Sequence, residues 1–117
     1  MLFSLRAQYT RDSMQALIQN PTDRSQTVRA ALECVGGRLI SFYTTGGGQN
    51  QGILAIYETS DANTNAALVC SAIASDEWFG IDTQRLYSME ETVDALRKAQ
   101  TIRNTWQAPQ QQMRSTD

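Results

Sequence analysis

The sequence predicts an α+β fold of order βαββαβ, with a four-stranded antiparallel sheet, helices on one face and an extra C-terminal helix. Two apolar runs rich in β-branched and aromatic residues flank a Gly-rich polar segment within residues 38–59, which is typical of a β-hairpin. Stretches with helical spacing of apolar residues lie on both sides of that hairpin. Neither hairpin strand alternates cleanly between apolar and polar residues, so both faces of this strand pair need cover.

Before the hairpin, the pattern indicates one strand and two helical stretches. Residues 2–9 alternate as a half-buried strand does, with apolar side chains at Phe3, Leu5, Ala7 and Tyr9. Thr10 to Ser13 offers a helix N-cap, and Pro21 interrupts the helix that follows. A second stretch over residues 25–35 ends at Gly36-Gly37 and has one apolar face, formed by Val28, Ala31, Leu32 and Val35.

After the hairpin, the pattern indicates a helix, a strand and a last helix. Ser60-Asp61 caps a helix over residues 62–74, whose expected inner face is Ala62, Ala66, Val69, Cys70 and Ile73. Residues 76–80 are expected to form a loop before an alternating strand over residues 81–87. Ser88 and Glu91 form a capping box that starts a helix reaching about residue 103.

This order of elements is the ferredoxin-like arrangement. We expect one domain over residues 1–103 and a polar tail over 104–117, whose Gln-rich composition favours mobility. With the helices on one face, the central strands leave several large apolar side chains on the other, a patch that monomers rarely expose. A second copy packed sheet against sheet is the simplest cover, so the sequence predicts a homodimer or a higher oligomer.

Composition narrows the possible functions. The chain of 117 residues has no histidine, which removes the commonest metal ligand and the usual general base, so no metal site and no cofactor is expected. A net charge of −2 with a single lysine, Lys98, argues against nucleic-acid binding. The apolar runs are far shorter than the roughly 20 residues that span a bilayer, and no signal peptide is visible, so a cytoplasmic location without membrane association is the default expectation.

Four tyrosines and an arginine are the candidate ligand-binding residues. All of the tyrosines fall at odd positions of predicted strands, and the arginine lies near the rim; the set is Tyr9, Tyr43, Tyr57, Arg85 and Tyr87. Tyrosine hydroxyls and an arginine can bind a carboxylate or orient a small polar ligand. The alternative, which the pattern favours, is that these tyrosines are core or interface residues. No residue is a candidate for catalysis.

Two other features have structural interpretations that the pattern favours. The Gly46 to Gly52 segment joins two strands and contains no lysine, so a flexible hairpin tip is favoured over a phosphate cradle. Cys34 and Cys70 lie on different predicted helices and are not a CxxC pair, which favours inert packing over redox chemistry.

Several short segments carry a family resemblance. The first strand ends in Tyr9-Thr10-Arg11-Asp12, the second begins with Gly36-Gly37-Arg38-Leu39 and continues to Phe42-Tyr43, and the third closes in Glu58 and Asp61. In these residues, and over roughly residues 3–100, the chain resembles the GYD domain proteins, small bacterial ferredoxin-like chains of unassigned function. The chain departs from them at the Gly-Tyr-Asp motif, where it has about Asn50-Gln51-Gly52, so no role of that Tyr and Asp is transferred. The resemblance implies an architecture and an oligomeric state, not a reaction.

Two hypotheses of function follow. The first is an oligomeric module that binds a small ligand or a partner and has no evident catalytic machinery. The alternative is a cofactor-free enzyme of the dimeric α+β barrel kind, acting on a small organic molecule. An enzyme should show a closed pocket of about 300 Å³ or more with converging polar groups. Alanines and bulky strand side chains filling that space would favour the module.

Overall fold

The computed structural model describes residues 1–47 and 51–109. Its elements are β1 (Leu2–Tyr9), α1 (Arg11–Gln19), α2 (Ser25–Glu33), β2 (Arg38–Thr45), β3 (Gly52–Glu58), α3 (Ala62–Ala74), β4 (Trp78–Leu86) and α4 (Met89–Thr105). The four strands form one sheet in the spatial order β2-β3-β1-β4, and every neighbouring pair is antiparallel. The predicted ferredoxin-like α+β fold is therefore confirmed.

The chain separates into two compact units, one from Met1 to Leu86 and a second that begins at Tyr87. The first unit holds the sheet and the first three helices, and the described part of the second is built on α4. Residues 110–117 of the predicted tail, and Gly48 to Asn50 of the Gly-rich segment, lie outside the described residues. The domain boundary at residue 103 and the mobility of the tail therefore stay predictions.

One face of the sheet, which we name the inner face, packs against α2 and α3. It is formed in its centre by the odd-numbered residues of the two central strands, Phe3, Leu5, Ala7, Ile53, Ala55 and Tyr57. Val28 and Leu32 of α2 and Leu39 of β2 complete the buried cluster, and Leu68 of α3 packs against it. Leu32, Ile53 and Tyr57 are its most completely buried large side chains, and burial of each contributes about 1.5–3 kcal/mol to stability.

The opposite face, which we name the outer face, carries Arg6, Tyr43, Leu54, Ile56 and Phe79. Leu54 pairs with Arg6 on one side and with Tyr43 on the other, and Ile56 pairs with Ser4 and Ser41. Leu54 and Ile56 are half-buried, while Tyr43 and Phe79 are 58% and 51% exposed. Strand β3 therefore presents hydrocarbon on both of its sides, as its unbroken apolar sequence predicts.

A β-bulge in β2 changes which of its residues share a face. Leu39 pairs with Tyr57 on the inner face, but the register shifts before Ser41, and Phe42 then pairs with Ala55. One extra residue in a strand moves every following side chain to the other side. Phe42 therefore lies on the inner face and Tyr43 on the outer face, although Leu39 and Tyr43 have the same parity.

The helix ends follow the predicted chemistry. Asp61 caps α3 by accepting a hydrogen bond from the Thr64 N–H at 2.7 Å, and these backbone interactions lower the pKa of the Asp61 carboxyl. Gly36 ends the α2 segment with φ of 78°, a conformation that glycine adopts without steric cost. The capping box of α4 is complete, because Ser88 and Glu91 each accept the other's backbone N–H at 3.0 Å.

The predicted inner face of α3 was wrong at four of its five residues, and only Val69 among them is half-buried. The buried residue is Ala72, and Asn65 and Leu68 are half-buried, whereas Ile73 is 62% exposed and Cys70 is exposed. Apolar residues occur all around this alanine-rich helix, so their spacing does not identify one face.

Two further expectations need correction. Cys34 is exposed, as Cys70 is, so the packing interpretation was wrong for both cysteines. Strand β4 begins at Trp78, three residues earlier than predicted, because Trp78 already pairs with Tyr9. Gly80, with φ of 60°, lies at the irregular pairing between Arg6 and Gln8 of β1, and this irregularity hides the strand from a simple alternation rule.

Helix α4 carries a short apolar stripe in its first half. Met89, Val93 and Leu96 recur at helical spacing and are exposed, whereas Ile102, which is also exposed, lies on another side of the helix. Asp94 and Lys98 form an ion pair at 3.3 Å on another side of the helix. Among the described helices, none combines the length and the apolar character that crossing a bilayer requires.

Candidate ligand-binding cleft

The candidate site is an open cleft of about 550 Å³ on the inner-face side of the sheet, which we name the α1 cleft. Its walls are α1, the connection from Asn20 to Arg24, and the ends of β1 and β2 nearest to them. Its described apolar lining is Met14, Leu17, Pro21 and Phe42. Its described polar lining is Tyr9, Thr22, Asp23, Arg24, Ser25, Thr44 and Gln51. All of these residues belong to the first unit.

The local sequence explains why α1 forms the cover of this cleft. Thr10 caps α1 by accepting the Ser13 N–H at 3.2 Å, so the helix starts directly after β1. Met14 and Leu17 turn one apolar edge towards the cleft, but both stay half-buried and no residue of α1 is fully buried. Helix α1 therefore lines an open space instead of packing into the core.

The helix stops where proline requires it to stop. Asn20 has φ of −138° and ψ of 84°, outside the helical region, and Pro21 follows it. The proline ring disfavours helical geometry at the preceding residue and has no N–H to donate. The chain consequently runs from Asn20 to Arg24 without helical structure before α2 begins, and this connection closes one side of the cleft.

Tyr9 lies at the end of β1, where it borders the cleft and its ring packs against that of Trp78. The two rings are tilted by 42° with their centroids 6.2 Å apart. Burial raises the pKa of the Tyr9 hydroxyl, and the negative charge of Glu77 raises it further, while Arg24 opposes this in part. Tyr9 therefore keeps its proton near neutral pH, so its hydroxyl can donate a hydrogen bond.

Arg24 and Glu77 form an ion pair beside Tyr9. Arg24 Nε donates to Glu77 Oε2 at 3.1 Å, and Arg24 Nη2 donates to Glu77 Oε1. Their side chains are 26% and 17% exposed, so the pair is shielded from water more than a typical surface ion pair. It joins the start of α2 to the residue before β4, two segments 53 residues apart in the chain.

Asp23 is the second charged residue of the cleft wall. Its carboxylate accepts hydrogen bonds from the Ser25 backbone N–H at 3.0 Å, from the Ser25 hydroxyl and from Gln26 Nε2. The Ser25 hydroxyl makes the largest contribution to lowering the pKa of Asp23, followed by Gln26. Asp23 therefore remains ionised at neutral pH.

The five residues predicted from the sequence do not meet at one site. Tyr9 borders the α1 cleft, Tyr43 lies on the outer face, and Tyr87 is an exposed residue at the start of the second unit. Tyr57 and Arg85 do share the inner face, where both pair with Phe3 from opposite sides. The step of six residues from Phe3 to Tyr9 separates that row from the cleft by about 20 Å along the strand. A ligand-binding role for the five residues as a set stays a prediction.

Tyr57 occupies the core. Its ring stacks on Phe3 with centroids 6.0 Å apart, and its hydroxyl donates to Asn65 Oδ1 of α3. Burial raises the pKa of Tyr57 to about 12. These contacts are those of a structural tyrosine that joins the sheet to α3.

The cavity enclosed between the sheet and the helices α2 and α3 is very small, although an open groove of about 240 Å³ between the two helices reaches Trp78. The enclosed cavity has a volume of about 20 Å³ and an apolar lining that includes Leu5, Tyr57, Leu68 and Ala72. That volume approaches the size of one water molecule and is far too small for an organic ligand. Within the described ranges 1–47 and 51–109, no group of acidic residues and cysteines is arranged to hold a metal ion.

Arg24, Asp23 and Glu77 were not predicted from the sequence as residues of the site. Asp23 and Arg24 follow a proline in a connection, and Glu77 precedes a strand, so each looks like an ordinary surface residue. The pairing of Arg24 with Glu77 depends on the strand order and not on any local spacing. The available signal was Pro21, which predicts the break between α1 and α2 that forms one wall.

Comparison with known families agrees with this architecture. The sequence model of the GYD domain matches residues 3–96. The chain belongs to the GYD domain family. No curated protein matches it. The departure from the Gly-Tyr-Asp motif at about Asn50-Gln51-Gly52 stays a prediction, and Asn50 lies outside the described residues.

Solved structures share the fold at low sequence identity. The 5-chloro-2-hydroxyhydroquinone dehydrochlorinase of Burkholderia phenoliruptrix, solved with 2,5-dihydroxybenzoquinone, matches with a TM-score of 0.52 and 18% identity over 74% of this chain and 94% of that chain. A protein from Agrobacterium tumefaciens matches with a TM-score of 0.47 and 12% identity over 74% and 92% of the two chains. A NIPSNAP-like domain protein from Burkholderia xenovorans matches with a TM-score of 0.47 and 13% identity over 74% and 83%. The first of these likenesses shows the fold alone.

Proposed function

We propose that this GYD domain is a self-associating binding module that holds a small organic molecule in the α1 cleft. The observation that carries the proposal is the cleft itself, an open space of about 550 Å³ within the range of about 300–1,000 Å³ that is usual for ligand sites. Its walls combine apolar side chains with uncharged hydrogen-bonding groups, of which Tyr9 and Thr44 come from strands. Strands fix these groups more rigidly than loops do.

The titratable groups in and beside the cleft support binding over catalysis. Glu77 is engaged by Arg24, Asp23 is held by Ser25, and Tyr9 keeps its proton. A general base needs a free acceptor within hydrogen-bonding reach of substrate, and a pKa near the working pH. None of these three groups meets both requirements in the arrangement described.

Self-association is proposed through the outer face, with a second copy of the chain as the partner. Leu54 and Ile56 form the apolar centre of this face, and Tyr43 and Phe79 extend it on either side. An interface centre with apolar and aromatic side chains and a polar rim is typical of pairs of identical subunits. Arg38 and Glu58 form an exposed ion pair at 3.0 Å on this same face, and they would lie at such a rim.

An NMR titration tests the cleft. Uniformly ¹⁵N-labelled protein is titrated with 4-hydroxybenzamide, an uncharged ring compound, and saturable amide shifts are expected at Tyr9, Met14 and Thr44. Tyr9→Phe removes the hydroxyl donor at the cleft and should weaken binding about two- to tenfold, as loss of one hydrogen bond does. Tyr43→Phe is the matched control, because it removes a tyrosine hydroxyl from the outer face and should leave the affinity unchanged. Shifts that never saturate, or that map to the outer face, would contradict a ligand site in the cleft.

A cofactor-free enzyme acting on a small organic molecule is the second candidate function. One observation favours it: Tyr9 borders the cleft and keeps its proton near neutral pH, so its hydroxyl is available to hydrogen-bond negative charge that develops on a bound molecule. The dehydrochlorinase that shares the fold acts on a hydroxylated ring compound, as its name states. Mass spectrometry of the probe after prolonged incubation separates the two candidates, because a binding module returns the compound unchanged.

A further inference from the structure

The charges around the α1 cleft have an arrangement that selects between ligands of the same shape. Arg24 is the cation among the described residues that line the cleft, and Asp23 is the anion. Arg24 donates through Nε and Nη2 to both carboxylate oxygens of Glu77. The guanidinium keeps unused N–H groups on Nη1, but the adjacent negative charge of Glu77 offsets its attraction for an anion.

We propose that the Arg24–Glu77 pair makes the α1 cleft selective for uncharged ring compounds bearing hydroxyl or carbonyl groups, and against carboxylates. This inference rests on the proposed function, since it assumes that the cleft holds a small molecule. Glu77 neutralises the charge of Arg24, and the positive charge of Arg29 acts on Asp23. A carboxylate that enters the cleft therefore gives up its hydration without gaining an unpaired cation, whereas an uncharged analogue of equal size pays a much smaller cost.

The uncharged lining suits the same class of ligand. Tyr9 and Phe42 offer aromatic rings to a flat molecule, and Met14 and Leu17 form the opposite apolar wall on α1. Thr44 and Gln51 add groups that both donate and accept hydrogen bonds. A hydroxyl or carbonyl substituent satisfies such groups without bringing a charge into the half-buried space.

Glu77 is the residue that sets this selectivity. Glu77→Gln replaces its carboxylate by an amide of nearly equal size, which leaves the Arg24 charge uncompensated beside the cleft. The affinity for a carboxylate should then rise at least tenfold, while the affinity for an uncharged analogue stays within about twofold. Adding Arg24→Gln removes the remaining cation, so the double variant should lose the gain. Glu58→Gln is the matched control, because Glu58 pairs with Arg38 on the outer face.

The experiment compares three probes of one size by NMR titration at pH 7: 4-hydroxybenzamide, 4-hydroxybenzoate and 4-hydroxybenzylamine. The wild-type chain should bind the uncharged amide more tightly than the cationic amine and at least tenfold more tightly than the anionic benzoate. This ranking needs no variant, so it tests the inference even if Glu77→Gln fails to fold.

The outcomes separate the two proposals. If none of the three probes binds in the cleft, the proposed function and the selectivity both fail. If the probes bind in the cleft with equal affinity, or if Glu77→Gln folds and leaves the benzoate affinity unchanged, the proposed function stands and the role of the Arg24–Glu77 pair is overturned. A gain for benzoate in Glu58→Gln equal to that in Glu77→Gln would also overturn it, because a change in overall charge would then explain both.

Discussion

Gly52, the first residue of β3, is a position that has no room for a side chain. It is buried between two strands, pairing with Gln8 of β1 and with Thr45 of β2. A Cβ atom added to it would lie 1.9 Å from the carbonyl oxygen of Ala7 and 2.9 Å from the carbonyl carbon of that residue. Both of these atoms belong to the backbone, so no side-chain rotation relieves the contact.

The cost of Gly52→Ala follows from this geometry. Real Cβ contacts essentially never fall below 3.0 Å, so β1 and β3 must separate locally by about 1 Å. Overpacking of this kind costs about 1–3 kcal/mol, and each backbone hydrogen bond weakened in the ladder costs about 1 kcal/mol more. We therefore expect a loss of about 3 kcal/mol or more, from a total stability of about 5–15 kcal/mol for a domain.

Urea denaturation at 25 °C, followed by circular dichroism, measures this loss. With a slope of about 1–2 kcal/mol per molar urea, the midpoint should fall by about 2 M. Gly46→Ala is the matched control in the same hairpin, because its added Cβ would meet only Gln51 Oε1, at 3.6 Å, which is an ordinary contact. That variant should stay within about 0.5 kcal/mol of the wild type. If Gly52→Ala is equally mild, the close approach of β3 to β1 is wrong.

Two further predictions concern self-association and Tyr57. Light scattering at micromolar concentration should give about twice the chain mass of 13.0 kDa for the wild type. Tyr43→Glu places a charge on the outer face and should give monomers, whereas Ile73→Glu, at an exposed site on α3, should leave the dimer intact. A monomeric wild type, or monomers from the α3 variant alone, would show that the outer face is not the interface. Burial raises the pKa of Tyr57 to about 12, so the unfolded chain loses this proton at a lower pH than the folded chain does. The free energy of unfolding should therefore fall between pH 10 and pH 12, by about 2 kcal/mol after allowance for solvent screening. Tyr57→Phe removes the hydrogen bond to Asn65 and should lower the free energy of unfolding by about 1 kcal/mol at pH 8. Its free energy of unfolding, measured by urea titration, should also fall less steeply at alkaline pH than that of the wild type. Equal slopes in the two proteins would refute the assignment of the alkaline decline to Tyr57.

The fold was predictable because its signals are local. The hairpin needs two β-rich runs around a Gly-rich segment, and helix starts need a cap such as Asp61 or Ser88, all of which a reader can find within a few residues. Which side chains share a face of the sheet was less predictable, because a single irregular residue in a strand changes the answer. The bulge after Leu39 places the odd-numbered residues that follow it on the outer face, so Tyr43 and Tyr57 lie on opposite faces of the sheet. Strict alternation along the sequence does not predict this change.

The candidate site was predictable only in part, because its polar groups come from segments distant in sequence. Tyr9 was found from the strand pattern, and its neighbour Trp78 was placed in a loop. Arg24 and Glu77 meet only because β1 lies between β3 and β4, which brings the start of β4 beside the end of β1 and the start of α2. Side chains that are paired through topology carry no signature in the linear chain.

The position of the cleft follows from the break at Pro21. Without this break, the residues from Arg11 to Glu33 would form one helix, about 35 Å long at 1.5 Å per residue. The eight-residue strands beneath it are only about 26 Å long. The break lets α2 bury Val28 and Leu32 in the core while α1 turns away with Met14 and Leu17 only half-buried. A helix that contributes so little to the core can be held above an open space, and the connection that follows brings Asp23 and Arg24 to the rim of that space. The residue that ends the first helix therefore also creates the site, which is why the charges that we expect to select the ligand lie directly behind it in the sequence.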